Sequence, residues 1–336
     1  MITPAATGTF ITRFGQFFSR RLLYLACLTG LLLVLTGCCT VNKEAAAKLA
    51  NEGASAAHAI AETYRADSQS LSVYVEGEYL LSALNPGYSP PGDAVLHAIE
   101  AVQSELQSRQ RMLNSLGDVY VSFGSLCACD AKSDVENSLG AAVQAGNDLS
   151  TKLGGGAISD SAGKLFAAAG GEIAGQAQCG RIKSASEKIG ALLHGVVFLL
   201  QKTNEQAAVV ALRQEITRGK LKVAQALWTN DLALANGILD QQVQAYGLTP
   251  NHSALARASQ SPGLRAGVSE ILRWRQKQEQ SFQTAAYGAT IQALRGLINE
   301  HVNIEKGDPV SLGAVQDYLA TVQKYVDLIT AVEKGQ

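Results

Sequence analysis

Aromatic side chains are scarce in this chain: Phe, Tyr and Trp together make up 6% of 336 residues, and prolines number only seven. Charged residues stand at 17%, whereas hydrophobic ones reach 47%, largely through alanine. That make-up favours long, alanine-rich helices with thin side-chain packing. Chemical motifs are missing as well. There is no phosphate-binding loop, HExxH or GxSxG, and the glycine clusters at 154–156 and 170–175 follow no strand, which removes a dinucleotide reading. The absence of Cys-x-x-Cys-His excludes covalent haem, and Met112, the only methionine after Met1, excludes a methionine-rich copper site. A net charge of −1 lacks the concentrated positive surface that sequence-independent nucleic-acid binding requires. The expectation is a protein that is not an enzyme, with no nucleic-acid partner and no metal.

What is present is concentrated first at the N-terminus. Arg13, Arg20 and Arg21 form a positive stretch with no acidic residue near it. Leu22 to Leu35 is an apolar run interrupted only by Tyr24, Cys27, Thr29 and Gly30, and the small residues Thr36 and Gly37 precede Cys38. Such a run is short of the ~20 apolar residues that span a bilayer and has the three parts of a secretory signal. Leu35-Thr36-Gly37-Cys38 resembles the lipobox of bacterial lipoproteins. That resemblance implies cleavage before Cys38 (residues 1–37 removed), diacylglycerol on the Cys38 sulfur, acylation of the new amine, and a lipidated tether over 38–41. In the lipoprotein pattern an aspartate after the lipidated cysteine retains the protein at the inner membrane. Here the position is Cys39, which implies the outer membrane, periplasmic side. Ser19-Arg20-Arg21-Leu22-Leu23 also loosely resembles a twin-arginine export signal, but the strongly apolar core favours ordinary secretion. Loss of the three arginines leaves 25 basic and 29 acidic residues, a net charge of −4.

Residues 42–336 read as one all-α domain, an elongated bundle of long amphipathic helices with a Gly/Ala-rich subregion over 150–200. A helix is expected over 42–84, although 71–75 and 119–123 alternate as strands would. Asn85-Pro86-Gly87 and Ser89-Pro90-Pro91-Gly92 break it. Asp93 then caps a helix whose apolar positions Leu96, Ile99, Val102, Leu106, Leu113, Leu116, Tyr120 and Phe123 form one stripe, suited to a bundle or coiled coil. Ser133 with Glu136, and Ser184 with Glu187, have capping-box spacing; Thr203 with Gln206 either restarts a helix or lies within one. An unbroken helix from Ile182 to Tyr246 would be ~97 Å long, so a break is expected near Thr203 or Gly219. Gly247 to Ser261 reads as loop. Ser261-Pro262 caps a helix to about Glu305, and Asp308-Pro309 caps a last helix to about Glu333.

Four cysteines remain once Cys27 leaves with the signal and Cys38 takes lipid. In an oxidising compartment a disulfide is expected, with Cys127 or Cys129 pairing with Cys179 across a loop of ~50 residues; such a loop contributes roughly 4 kcal/mol. The third thiol then either pairs with Cys39 or stays free. A zinc site would need a second pair of ligands at fitting spacing, which is absent. Asp93, His97 and Glu100, and likewise Glu300, His301 and Glu305, have helical spacing for metal ligands but read better as solvated faces. His194, in an apolar run, reads as a core histidine bonded to a neighbouring carbonyl. Arg265, Arg273, Trp274, Arg275 and Lys277 are the densest basic patch and surround an indole. It would suit an acidic partner or anionic lipid, although Trp274 turned into the bundle is the plainer expectation. The nearly uncharged segment 154–200 suggests buried core, with insertion into lipid as the alternative. The function expected is a lipid-anchored envelope scaffold that binds another envelope protein. The alternatives are a membrane-perturbing protein using 154–200, or an enzyme with a dispersed site.

Overall fold

The computed structural model describes residues 41–84, 87–89, 91–129, 131–154, 156–201, 203–229, 236–258 and 261–333. The apolar run and Cys38 lie outside them. The described residues form ten α-helices and no strand: α1 (Lys43–Leu84), α2 (Asp93–Ala128), α3 (Lys132–Lys152), α4 (Ala157–Ala169), α5 (Gln178–Leu200), α6 (Thr203–Thr229), α7 (Asn236–Ala245), α8 (His252–Ala258), α9 (Pro262–Lys306) and α10 (Gly313–Glu333). The all-α expectation holds, and both strand-like stretches are helical.

Helix α1 is the axis. Its 42 residues span about 63 Å, and α2, α6, α9 and α10 all pack on it. Helix α2 runs back along it, since Tyr120 meets Gly53, His58 meets Gly117, and Gln103 Nε2 donates to Ser72 Oγ at 3.2 Å. Helix α9 is also antiparallel to it. Helix α10 runs with it, as Gln316 Nε2 donates to Glu52 Oε1 at 2.8 Å and the Tyr325 hydroxyl to Asp67 Oδ1 at 2.9 Å.

Three apolar clusters are strung along this axis. The largest combines α1, α2, α3, α4, α5 and α9 around Tyr120, Phe123, Phe166 and the Ile182–Leu200 stripe. A second holds Ala66, Ala286, Tyr325 and Ile329, and a third, farthest from the start of α1, holds Trp228, Leu239 and Val268. Packing thins in that direction. The α2 stripe is only half-buried at Leu96, Ile99 and Val102 and becomes fully buried from Leu106 onward.

Within the Gly/Ala-rich region, the Ile182–Leu200 stripe and the inner face of α4 line the core, whereas 170–181 is mostly exposed. Phe166, the only aromatic between 157 and 181, is fully buried. Its ring lies where side chains at Gly146 of α3 and Gly195 of α5 would otherwise be. No helix among the described residues is long and apolar enough to cross a membrane.

Several local expectations are corrected. Asp93 is the first helical residue, not the cap; Gly92 occupies the cap position without a side-chain bond, and Asp93 instead faces the positive helix end. Neither capping box forms. Helix α3 starts one residue before Ser133, and Glu136 Oε1 accepts from the Ile173 amide at 2.6 Å. Helix α5 starts six residues before Ser184, whose hydroxyl accepts from the Ala174 amide at 3.0 Å. In both cases a tertiary amide competes for the side chain that would have closed the box. The long segment breaks near Thr203, as expected, but α6 passes unbroken through Gly219, where the Tyr74 ring packs on the bare Cα. The loop after Gly247 contains the short helix α8. Ser261 caps α9 as expected, its Oγ accepting from the Leu264 amide at 3.3 Å, and Gly307 ends that helix at φ 78°. Helix α10 starts later than Asp308-Pro309, at Gly313, and in the segment before it the Ser311 amide donates to Glu300 Oε2 at 2.9 Å.

The Phe166 seat gives a testable constraint. Gly146→Ala and Gly195→Ala should each destabilise the protein by about 1–3 kcal/mol through overpacking, despite alanine's better helix propensity. In a Phe166→Leu background the same changes should cost less. Chemical denaturation followed by circular dichroism measures the coupling.

Candidate functional site

The residues that carry chemistry fall at three levels along the bundle. At the near end, Asn42 starts α1: its Oδ1 accepts from the Ala45 amide at 3.1 Å. Val41, one residue earlier, is already buried in the main core. Lys43 Nζ donates to Gln178 Oε1 in the first turn of α5. Gln178 Nε2 donates in turn to the carbonyls of Leu126 and Cys127 at 2.9 and 3.2 Å. One amide side chain therefore ties together the beginnings of α1 and α5 and the end of α2.

The cysteines sit around this knot. Cys127 and Cys129 are both free thiols, which overturns the expected bridge from one of them to Cys179. Burial pushes the Cys127 thiol up to about 12, so it is not a reactive thiolate. Cys129 is exposed at the C-cap of α2, its thiol donating to the Ser125 carbonyl at 3.3 Å. Cys179 is half-buried against the main core beside Gln178.

Midway, Tyr120, His301 and Ser186 meet in the interior. His301 Nε2 lies 3.0 Å from the Tyr120 hydroxyl and its Nδ1 lies 2.8 Å from Ser186 Oγ. Ser186 Oγ also donates to the His301 carbonyl at 3.3 Å. A consistent pattern has Nδ1–H donating to Ser186 and Tyr120 donating to Nε2, leaving a neutral ring with every polar atom satisfied. A serine beside a histidine is a nucleophile–base combination in principle. Here both are fully buried and no cleft reaches them, so the arrangement is a structural joint between α2, α5 and α9. Its neighbours diverge: Glu300 turns to Asn303 and Ser311, while Glu305 is held above the usual carboxylate range by burial and by Glu187.

The remaining histidine expectations resolve simply. His97 lies exposed, 3.3 Å from Glu100 Oε2. His194 is exposed rather than in the core, because the apolar run around it places only its other faces inward. Among the described residues, no group of three or more His, Cys, Asp or Glu is placed to hold a metal. A small cavity between Thr63, Tyr64, Ala286, Tyr287, Thr290 and Tyr325 has room for about one water.

At the far end, Trp274 is 62% exposed, which overturns its expected place inside the bundle. Its position on α9 follows from Ala286, which packs at the level of Ala66 on α1, so Trp274 lies about 50 Å along the axis from Lys43. Arg273 and Lys277 share its exposed face, with Glu270 paired to Arg273. Arg265 and Arg275 are half-buried and engaged by other groups, so the structure brings together only part of the basic patch. The turn after α7, with Tyr246 80% exposed and Leu248 64%, lies at the same end, because Leu239 of α7 packs on Val268 of α9. Trp228 is buried there, its indole N–H without a hydrogen-bond acceptor among the described residues.

Sequence reasoning missed Gln178, Tyr120 and Ser186. Nothing in local spacing points to them, since each acts on a residue far away in the chain. Against protein-family models, curated proteins and solved structures, the chain finds no match.

Burial holds the His301 pKa down at about 3, against 6.5 for a free imidazole. Above pH 6.5 both folded and unfolded chains leave it neutral, so it adds no pH dependence. Between pH 6.5 and 3 only the unfolded chain takes up the proton, so stability falls as pH falls, by about 1.4 kcal/mol per pH unit within that window. Denaturation midpoints measured from pH 7 to pH 4 should show this slope, and His301→Gln should flatten it while lowering stability at pH 7.

Proposed function

We propose that this chain is a lipid-anchored envelope protein of the outer membrane, facing the periplasm, in which a helical bundle acts as spacer and interaction scaffold. The anchor is the lipid on Cys38 implied by the lipobox resemblance, and it needs no other cofactor. The bundle holds the Arg273–Trp274–Lys277 face toward an envelope protein with an acidic docking surface. The observation that carries this reading is the exposed indole at the end of the bundle opposite the start of α1. An exposed tryptophan between cations is costly to leave in water and well suited to a binding hot spot, where cation–π contacts add to apolar burial.

Two measurements test the reading separately. Growth with an alkyne fatty acid should label the protein, and Cys38→Ala should abolish the label and release the chain from the membrane fraction. A wild-type chain that carries no lipid defeats the anchor. A photo-crosslinker at Lys277 should trap a specific envelope protein in living cells, and Trp274→Ala should weaken that capture by 10-fold or more, on the order of 2 kcal/mol. Equal capture with and without the indole defeats the docking role.

A further inference from the structure

We infer that the Arg273–Trp274–Lys277 face docks on a second copy of this chain, at the acidic hairpin formed by the end of α1 and the start of α2. The inference rests on the reading of that face as a docking surface, and it names the partner. Two helix pairs fix the levels. Ala66 and Ala286 share one apolar cluster, so in the antiparallel pair α1–α9 Trp274 lies about level with Glu78. Gln103 bonds to Ser72 across the antiparallel pair α1–α2, so Val95 lies about level with Leu80. Hairpin and basic face thus occupy the same end of the bundle.

The hairpin is apolar at its centre. Val73, Tyr79, Leu80 and Val95 are exposed there, and Leu96 and Ile99 are only half-buried. Val73, Glu76 and Leu80 follow a spacing of three and four, which places them on one outer face of α1. With Trp274, Tyr246 and Leu248, seven of the nine exposed large apolar side chains among the described residues lie at this end. The other two, Val121 and Tyr318, lie toward the start of α1, where Tyr120 meets Gly53 and Gln316 meets Glu52. Charge then selects the partner. Between Arg65 and Arg109 there is no Lys or Arg, but there are Asp67, Glu76, Glu78, Asp93, Glu100 and Glu105. Over 257–277 the balance reverses, with Arg257, Arg265, Arg273, Arg275 and Lys277 against Glu270 alone. The inner carboxylates are engaged within the fold: Asp67 by Tyr325, Glu78 by Tyr88 and Glu105 by Arg109. Glu76, Asp93 and Glu100 are exposed, and among the described residues none of them meets a Lys or Arg; Glu100 meets only His97. An apolar centre rimmed by such carboxylates complements an indole rimmed by cations, which is the layout of a protein interface. Among the described residues no ion pair joins the two surfaces within one copy, so their complementarity is met between copies.

Two differently tagged full-length copies, co-expressed with a photo-crosslinker at Lys277 of one, read the contact in living cells. The expected product joins the two tags, and peptide mapping places the attachment within 73–102. Glu76→Lys with Glu100→Lys in both copies should suppress that product by about 10-fold or more, since like charges then face each other. Adding Arg273→Glu to both copies should restore it. These positions are exposed, and thermal melts followed by circular dichroism check that the variants fold. The mapping needs no charge substitution, so it decides the contact even where a reversed variant misfolds. A product mapped elsewhere on the second copy, or one that charge reversal leaves unchanged, overturns the inference. So does a suppression that Arg273→Glu fails to relieve. Capture of a different protein without the second tag overturns it as well, but leaves the docking role of the face intact. A lipid adduct alone, or no adduct, overturns both.

Discussion

The Tyr120–His301–Ser186 joint is the contact on which the rest of the bundle depends. It fastens three helices that are distant in sequence, and it requires Tyr120 to lie flat against α1. That approach is allowed only because position 53 carries no side chain, since a Cβ there would occupy the ring. The pairing of α1 with α2 thus sets where the phenol sits, and the phenol sets the register of α9 through the imidazole. Polar atoms this deep are tolerable because each finds a partner; losing one would leave the others desolvated and unbonded. Arg109 repeats the principle farther along, buried against the Tyr64 ring while its guanidinium donates to Glu105 at 2.6 Å.

Helix identity was largely legible from composition and apolar spacing, as α1, α2 and α9 show. Their ends were less so, and for one recurring reason. Ser133, Glu136 and Ser184 have the spacing of caps, but tertiary amides reach Glu136 and Ser184 first, and the helices begin earlier on residues with no capping side chain. Ser261 differs because Pro262 fixes the first helical φ and removes one donor, leaving the serine free to serve Leu264. The alternation at 71–75 was a false strand signal: Leu71 is buried by the helix packed on it, while Val73 points to solvent.

Site residues were harder to read. Trp274 was expected inside because large apolar side chains usually are. Its exposure reflects the thinning of the bundle near its far end, where no helix among the described residues covers that face of α9. His194 fails in the opposite sense: eight apolar residues of the run 191–200 flank a position that still lies on the outer face of α5. The expected pairing of Cys127 or Cys129 with Cys179 rested on an oxidising compartment and on sequence spacing. In the fold Cys127 is buried at the end of α2 while Gln178 occupies its carbonyl, and neither fact is visible in spacing.

The two tryptophans also make the molecule its own reporter. Trp228 is shielded in apolar surroundings with its N–H unbonded among the described residues, whereas Trp274 stands in water at the same end of the bundle. Their emission should therefore separate by wavelength and by access to a dissolved quencher. An occupant over the outer face of α9 would blue-shift one component and shield it from iodide, leaving the other unchanged. Loosening of α6 and α7 would expose the second without touching the first. Docking and fraying at this end are thus distinguishable by light alone, in the unmodified chain.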